Sequence, residues 1–287
     1  MLHGQKMKKL KPNLFVVGAP KSGTTALFYI LNQHKDVFFP NPKELNFFQG
    51  KTGIEYSKHY NDIKFASVKE YEQFFVGRNE KIIGDGSVSY LADSESPELI
   101  AKYNPDAKII ICVRNPVDRA FSHYLMDKAL GLTKEDFGKI IMSDDSALKA
   151  FKYQYLKNGL FYENLQRWIN HFGSENILTI KIQEIKTSEG IHKIFDFLGI
   201  ESIEIQNLEA NPYKEYRNGF FQFLSKQRKT ISHLKKFINF KKIPFLKKMA
   251  YVEAEKPIIT DTDKAFLTDY YRKDWNLLTS YFEKNNA

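Results

Sequence analysis

The chain is poor in cysteine and has no long apolar run, and each scarcity excludes a class of protein. Cys112 is the only cysteine among 287 residues, so an intrachain disulfide and a cysteine-based metal cluster are excluded. No stretch approaches the roughly 20 apolar residues of a membrane span. Met1 to Pro12 is basic and lacks the apolar segment of a secretory signal. We therefore expect a soluble protein of a reducing compartment, cytoplasmic and at most peripheral to a membrane.

Internal repeats and low-complexity tracts are also missing, which argues against a solenoid or a disordered protein. The chain is 43% hydrophobic and 15% aromatic, a composition that can fill one sizeable core. We expect one domain over residues 1–287, with an insertion at 226–248 and a closing amphipathic helix at 260–287.

The rest of the chain is organised around residues 13–25. Leu14 to Val17 is a short apolar run bounded by Gly18, which predicts a buried strand. The spacing of the apolar residues after Thr24 predicts an amphipathic helix; these residues are Leu27, Ile30 and Leu31. The loop between strand and helix therefore directs backbone N–H groups toward any anion at the helix N-terminus.

The side chains of this loop suit a phosphate or sulfate group. Lys21 supplies a positive charge and hydroxyl donors flank it; these are Ser22, Thr24 and Thr25. Gly18 and Gly23 have the glycine spacing of a nucleotide P-loop, but the residue after Gly23 is threonine rather than lysine. No acidic partner for a magnesium ion stands out, so a kinase or NTPase is the weaker alternative. A simple glycine-rich turn is the other alternative.

A second pattern lies between Ala107 and Tyr124. The apolar run Lys108 to Val113 predicts a parallel strand buried on both faces. Asn115 can cap the following helix, and Pro116 suits its first position. Arg114 is therefore expected at the carboxyl end of a strand, where open α/β sheets bind ligands.

Both segments resemble sulfotransferases that use 3′-phosphoadenosine 5′-phosphosulfate (PAPS). Pro20 to Thr25 resembles the loop that holds the 5′-phosphosulfate, and Arg114 to Tyr124 resembles the 3′-phosphate site. The resemblance implies a single P-loop-like, three-layer α/β domain with a mostly parallel sheet and helices on both faces. It also implies that PAPS is the donor, that 3′-phosphoadenosine 5′-phosphate (PAP) is the product, and that no metal is needed. The implied donor ligands are Lys21, Ser22, Gly23, Thr24, Thr25, Arg114 and Ser122.

The segment from Asn41 to Phe48 resembles an element of glycosaminoglycan-type sulfotransferases. Its two prolines favour an extended loop. The resemblance implies that Glu44 is the general base on the acceptor, and that Lys43 and Lys21 stabilise developing charge. Two alternatives stay open: a solvated Lys-Glu pair, and His59 as the base, as in the cytosolic small-molecule branch of the family.

Weaker parallels involve three further regions. Lys81 to Tyr90 resembles a segment near the family's active site, although aspartate replaces the common glutamate at position 85, and the roles of Asp85 and Ser87 stay open. Tyr162 is expected near the donor nucleotide or, alternatively, in the core. Lys214 and Arg217 are candidate donor ligands in a polar loop.

Residues 226–248 contain nine Lys or Arg and no acid, interleaved with aromatic and aliphatic residues. A solvated helix face is one interpretation, and docking to an anionic membrane or an acidic polymer is another. Nucleic acid is not expected, because no base-reading motif accompanies the charge.

The function predicted from these features is sulfuryl transfer from PAPS to an acceptor hydroxyl rather than an amine, with a carbohydrate as the favoured acceptor. Sulfation of a lipid, steroid or secondary metabolite is an alternative. A non-catalytic protein that binds nucleotides or polyanions is the rival from a different class.

Overall fold

The structure is a computed structural model that describes residues 11–57, 65–206, 214–216, 251–253 and 257–285. The basic segment 226–248 and the candidate residues His59 and Arg217 lie outside these ranges. For 214–216 and 251–253 the backbone alone is described.

A five-stranded parallel sheet forms the centre of the fold. Its strands are β1 (Leu14–Gly18), β2 (Val37–Phe38), β3 (Ile82–Asp85), β4 (Lys108–Val113) and β5 (Ile177–Lys181). Their spatial order is β2-β3-β1-β4-β5, and every neighbouring pair is parallel. The predicted parallel sheet is confirmed, and β1 lies between β3 and β4. The two segments singled out in the sequence therefore end at the same edge of the sheet.

Ten α-helices occur within the described ranges. They are α1 (Thr24–Leu31), α2 (Lys51–Ser57), α3 (Val68–Glu72), α4 (Ser96–Tyr103), α5 (Pro116–Ala129), α6 (Phe137–Met142), α7 (Lys149–Leu156), α8 (Phe161–Phe172), α9 (Ser188–Leu198) and α10 (Asp261–Asn285). Two short strands, β6 (Lys214–Tyr216) and β7 (Tyr251–Glu253), pair antiparallel as a separate ribbon.

Helices cover both faces of the sheet, as the apolar strands predict. In β4, Ile109 and Ile111 pack with the core residues of α4 and α8, whereas Ile110 and Cys112 pack with those of α1 and α9. Both faces of the strand are therefore buried, which explains why it is a continuous apolar run rather than an alternating one. Burial raises the pKa of the Cys112 thiol to about 12, which fits a core residue rather than a nucleophile.

A third apolar cluster joins α5, α6, α7 and α10 beside the sheet. The amphipathic pattern of α10 predicts that Phe266, Leu267, Tyr270 and Trp275 face inward, and Leu267 is fully buried. Phe266, Tyr270 and Trp275 are only partly buried, and the fully buried apolar positions are Leu267, Tyr271 and Leu278. Since these three residues are spaced by 4 and 7 positions, they form one stripe, and aromatic residues beside it cover its edges.

None of the helices within the described ranges is both long and apolar enough to cross a membrane.

Candidate active site

The loop after β1 turns sharply and ends as the N-terminus of α1. The Ala19 N–H donates to the Cys112 carbonyl of β4 at 3.0 Å, and Lys21 has a left-handed φ of 69°. Gly23 closes the loop with a φ of 91° and is the N-cap of α1, to which it brings no capping side chain. The end of the loop is thus a set of backbone donors at the positive end of a helix dipole, an arrangement suited to a phosphate or sulfate.

Packing requires glycine at both ends of this loop. A Cβ atom on Gly18 would lie 2.7 Å from the Leu91 Cβ, and one on Gly23 would lie 2.9 Å from the Ile182 Cγ1. The positive φ of each residue also disfavours a side chain. The close approach of neighbouring segments therefore explains the P-loop-like spacing of the two glycines.

One hydroxyl in the loop is buried without a partner. Ser22 is fully buried, and its Oγ atom has no hydrogen-bond partner in the described part of the chain. An unsatisfied buried hydroxyl costs about 1–3 kcal/mol, so such groups are uncommon away from ligand sites. Thr24 is nearly buried, whereas Thr25 is exposed on the first turn of α1. The loop thus has polar groups that an anionic ligand would satisfy.

The second motif reaches the loop directly. The Arg114 guanidinium donates from Nη1 to the Lys21 carbonyl at 3.1 Å, across 93 residues of sequence. Asn115 caps α5 as predicted, because its Oδ1 accepts from the N–H groups of Val117 and Asp118 at 3.0 and 3.2 Å. Ser122 is half-buried two turns further along α5. Arg114 and the phosphate loop therefore form one continuous surface at the carboxyl edge of the sheet.

The loop that carries Lys43 and Glu44 lies beside the start of α1. The Lys43 Nζ atom is 3.5 Å from the Glu44 Oε1 atom and 3.4 Å from the Thr24 Oγ1 atom. The Lys43 side chain is 15% exposed and the Glu44 side chain 39%. Lys43 is thus shielded between the two loops, while the Glu44 carboxylate remains open to an incoming molecule.

Asp85, at the carboxyl end of β3, is a buried acid behind this loop. Its carboxylate accepts hydrogen bonds from Ser87, Tyr71 and Tyr90. Burial raises the pKa of Asp85 to about 6, although these hydrogen bonds oppose the shift. Burial and the nearby Asp85 charge raise the pKa of Tyr71 and Tyr90 well above their usual range, so both phenols stay protonated as donors.

Two described histidines serve different structural roles. His123 is buried on α5, and burial, Arg119 and Lys21 hold its pKa well below the usual range, which keeps the ring neutral. His34 is also buried; its Nδ1 atom accepts from the Asp36 N–H at 3.0 Å, and its Nε2 atom lies 2.9 Å from the Glu201 carbonyl.

The remaining candidate residues are less closely tied to the loop. Tyr162 lies at the start of α8, partly buried against the core. Its N–H donates to the Asp274 carboxylate of α10 at 3.0 Å, so its described contacts are with α10 and the core. The backbone of β6, which contains Lys214, approaches α5.

Sequence reasoning missed two features of the site and its support. The Asp274 carboxylate accepts hydrogen bonds from the first N–H groups of α8, although Asp274 lies 112 residues after Tyr162. A contact over that separation cannot be predicted from a local sequence pattern. The link from Lys43 to Thr24 was also missed. The strand-end sequence Asp85-Gly86-Ser87 was noticed, but its contacts with the Lys43 loop follow only from the folded chain.

No group of three or more His, Cys, Asp or Glu side chains within the described ranges is placed to hold a metal ion.

Comparisons with known proteins agree with this geometry. Residues 11–283 match the family described as "Sulfotransferase domain". The bifunctional heparan sulfate N-deacetylase/N-sulfotransferase 1 of Xenopus tropicalis is 28% identical over 205 residues, covering 66% of this chain and 22% of that protein. The bifunctional heparan sulfate N-deacetylase/N-sulfotransferase 2 of Bos taurus is 30% identical over 202 residues, with the same shares. The chain thus spans about a fifth of the length of these relatives.

A solved structure has the same fold. The sulfotransferase from Alicyclobacillus acidocaldarius is 26% identical, superposes with a TM-score of 0.61, and covers 75% of this chain and 90% of its own. The P-loop-like α/β fold expected from the sequence is therefore confirmed. The match to the sulfotransferase family sets the kinase or NTPase alternative aside.

Proposed function

The chain belongs to the sulfotransferase domain family, and from that premise we propose that it transfers a sulfuryl group from PAPS to a hydroxyl of a carbohydrate. One contact carries the proposal: the 3.1 Å hydrogen bond from Arg114 to the Lys21 carbonyl. It joins the loop suited to a 5′-phosphosulfate with the residue assigned to a 3′-phosphate. PAPS carries anionic groups at both of these positions, so adjacent basic sites match its charge.

Five loop residues would hold the 5′ end of the donor; these are Lys21, Ser22, Gly23, Thr24 and Thr25. The orphaned Ser22 hydroxyl and the uncapped start of α1 support this assignment. Arg114 and Ser122 would hold the 3′-phosphate. Tyr162, Lys214 and Arg217 are proposed as further residues that contact PAPS. The approach of β6, which contains Lys214, to α5 supports the proposal for Lys214.

Glu44 would act as the general base. As the acceptor oxygen forms a bond to sulfur, its proton passes to the Glu44 carboxylate. The bond between sulfur and the bridging oxygen breaks, and its electron pair stays on the 5′-phosphate, so that PAP leaves. Lys43 and Lys21 would stabilise the charge that develops on that oxygen. The 3.4 Å contact between Lys43 and Thr24 supports a role for Lys43 at this position. The scheme uses no metal.

The names of the relatives bear on the acceptor. Both are heparan sulfate N-sulfotransferases, which favours a carbohydrate and makes a sugar amino group the second candidate acceptor. We further propose that 1–287 is one domain and that the enzyme works in the cytoplasm. Residues 226–248 would bind an acidic acceptor or an anionic membrane surface.

The donor is tested by isothermal titration with PAP and with adenosine 5′-monophosphate, each with and without EDTA. We expect tight, EDTA-insensitive binding of PAP that requires the 3′-phosphate and is lost in Arg114→Ala. Equal and weak binding of both nucleotides would contradict the PAPS assignment.

The acceptor is tested by incubating the enzyme and PAPS with a de-sulfated glycosaminoglycan, either N-acetylated or carrying its free amine. Sulfate found on oxygen in both polymers supports the hydroxyl assignment. Sulfate found only on nitrogen, and only in the second polymer, would replace it with the amine.

A further inference from the structure

Three consecutive residues hold the loop that carries the proposed base. The Gly86 N–H donates to the Lys43 carbonyl at 3.3 Å. The Ser87 Oγ atom accepts from the N–H groups of Leu45 and Asn46 at 3.0 and 2.9 Å. The backbone on both sides of Glu44 is therefore fixed by the strand end at Asp85 to Ser87, about 40 residues away in sequence.

Asp85 stands behind these contacts. It has no exposed surface, and both carboxylate oxygens accept hydrogen bonds. The Oδ1 atom accepts from the Ser87 N–H at 3.1 Å and from the Ser87 hydroxyl. The Oδ2 atom accepts from the Tyr71 hydroxyl at 2.9 Å and the Tyr90 hydroxyl at 3.1 Å. In this arrangement the carboxylate has no open side from which to meet an acceptor molecule.

An ionised carboxylate sets the direction of the hydroxyls around it. A hydroxyl has one hydrogen and two lone pairs. Because an ionised Asp85 can only accept, Ser87 must donate to it, and both serine lone pairs then face the Leu45 and Asn46 amides. Tyr90 likewise donates to Asp85 and accepts from the Phe48 N–H at 3.2 Å. The charge on one buried residue thus orients acceptors for three amides that follow Glu44.

Close packing reinforces this link. A Cβ atom on Gly86 would lie 3.0 Å from Cε and 3.1 Å from Cγ of Lys43. Because Gly86 has no side chain, the Lys43 side chain can pack against the end of β3 and extend to Thr24.

We propose that Asp85 is a positioning residue whose buried carboxylate, through the Ser87 and Tyr90 hydroxyls, sets the backbone from Leu45 to Phe48. It thereby fixes Lys43 and Glu44 relative to the phosphate loop. This inference rests on the proposed role of Glu44. Misplacement of a reacting group by about 1 Å can cost about 100-fold in rate, so the effect should appear in turnover rather than in donor affinity.

The test compares Asp85→Asn, Ser87→Ala and the control Tyr71→Phe. The control removes one donor to the same carboxylate, but Tyr71 accepts from none of the three loop amides, and the ring that stacks on Phe47 at 4.7 Å is kept. We expect Asp85→Asn and Ser87→Ala to lower kcat by about 10- to 100-fold. Their affinity for PAP should stay within about twofold, and Tyr71→Phe should stay within about threefold of wild type in both measurements.

A double-variant cycle separates positioning from general destabilisation. If Asp85 acts through Glu44, the part of the loss that passes through the base disappears in a Glu44→Gln background, so Asp85→Asn should lower kcat less there than in wild type. Multiplied losses would overturn the proposal, as would wild-type kcat in Asp85→Asn or in Ser87→Ala. If Asp85→Asn does not fold, Ser87→Ala in the same cycle decides the question, because it keeps the carboxylate.

The two proposals fail in different ways. Full activity of Glu44→Gln would contradict the role of Glu44 as base. Wild-type activity of Asp85→Asn with an inactive Glu44→Gln would contradict only the positioning role.

Discussion

The phosphate loop, Gly18 to Thr25, and the acceptor loop, Lys43 to Phe48, are held in place by different means. The phosphate loop continues directly from β1 into α1, and its turns come from its own left-handed residues. The acceptor loop is held by hydrogen bonds that its Leu45 and Asn46 N–H groups donate to the Ser87 hydroxyl oxygen, 42 and 41 positions away. The turns of the anion-binding half of the site thus come from its own backbone, with hydrogen bonds to β4 and Arg114 added at Ala19 and Lys21, whereas the base-bearing half is anchored through the side chain of a distant residue.

The two halves of the site also differ in the charges that surround them. Around the phosphate loop the charges are positive, and Lys21 contributes to the lowered pKa of His123. Behind the acceptor loop lies a buried acid whose pKa is raised to about 6. Lys43 joins the two halves through its contacts with Thr24 and Glu44. We therefore expect substitutions on the two sides to separate donor binding from turnover.

The largest effect is expected on the acceptor side. Glu44→Gln keeps the shape of the side chain but cannot take a proton, so turnover should fall by about 10²- to 10⁴-fold. The affinity for PAP, measured by titration calorimetry, should be unchanged because Glu44 lies outside the phosphate loop. An equal fall in PAP affinity would remove the distinction between the two loops.

A smaller effect concerns the pH dependence of stability. The pKa of Asp85 is about 6 in the folded state, against 3.8 for an unburied aspartate. The folded state therefore binds the carboxyl proton of Asp85 more tightly than the unfolded state does. The free energy of unfolding should therefore fall as pH rises from about 4 to about 6, by about 3 kcal/mol from this residue. Asp85→Asn lacks this component.

Urea unfolding of wild type and Asp85→Asn between pH 4 and pH 7.5 measures this difference. The stability of wild type relative to the variant should decrease across the interval and level off above about pH 7. A stability difference between wild type and Asp85→Asn that stays constant with pH would show that burial does not shift the pKa of Asp85.

The smallest effect is expected from Gly23→Ala on the phosphate-loop side. Alanine at a φ of 91°, with its Cβ atom 2.9 Å from the Ile182 Cγ1, should cost about 1–2 kcal/mol of stability. The distorted loop should also weaken PAP binding by about tenfold, which is about 1.4 kcal/mol.

The matched control for this variant is Asn13→Ala. Asn13 lies just before β1, at the end opposite the loop, and bridges the Lys81 carbonyl and the Ile83 N–H at 2.8 Å each. Its loss should cost about 1 kcal/mol with unchanged PAP affinity. If both variants weakened PAP binding equally, the effect of Gly23→Ala would reflect stability alone.

Prediction from the sequence worked best where structure is local. The Asn115 cap of α5 is present as predicted. On α10, Leu267 is buried as expected, whereas Phe266, Tyr270 and Trp275 are only partly buried and Tyr271 and Leu278 are the other fully buried apolar residues. A stripe on a helix is selected by what packs against it, and here Leu267 and Tyr271 meet the cluster around α5 and α7, whereas Leu278 meets the sheet core.

The amino-acid sequence by itself determined the strand, the phosphate loop and the first helix, because backbone conformation there follows from glycine positions and apolar spacing within a dozen residues. The hydrogen bond from Arg114 to the loop was decided by the parallel order of β1 and β4, which brings their carboxyl ends together. The anchoring of the acceptor loop by Asp85 was likewise decided by the tertiary structure. A buried carboxylate acquires its donors only when Tyr71, Ser87 and Tyr90 are packed around it, and no local pattern encodes that arrangement.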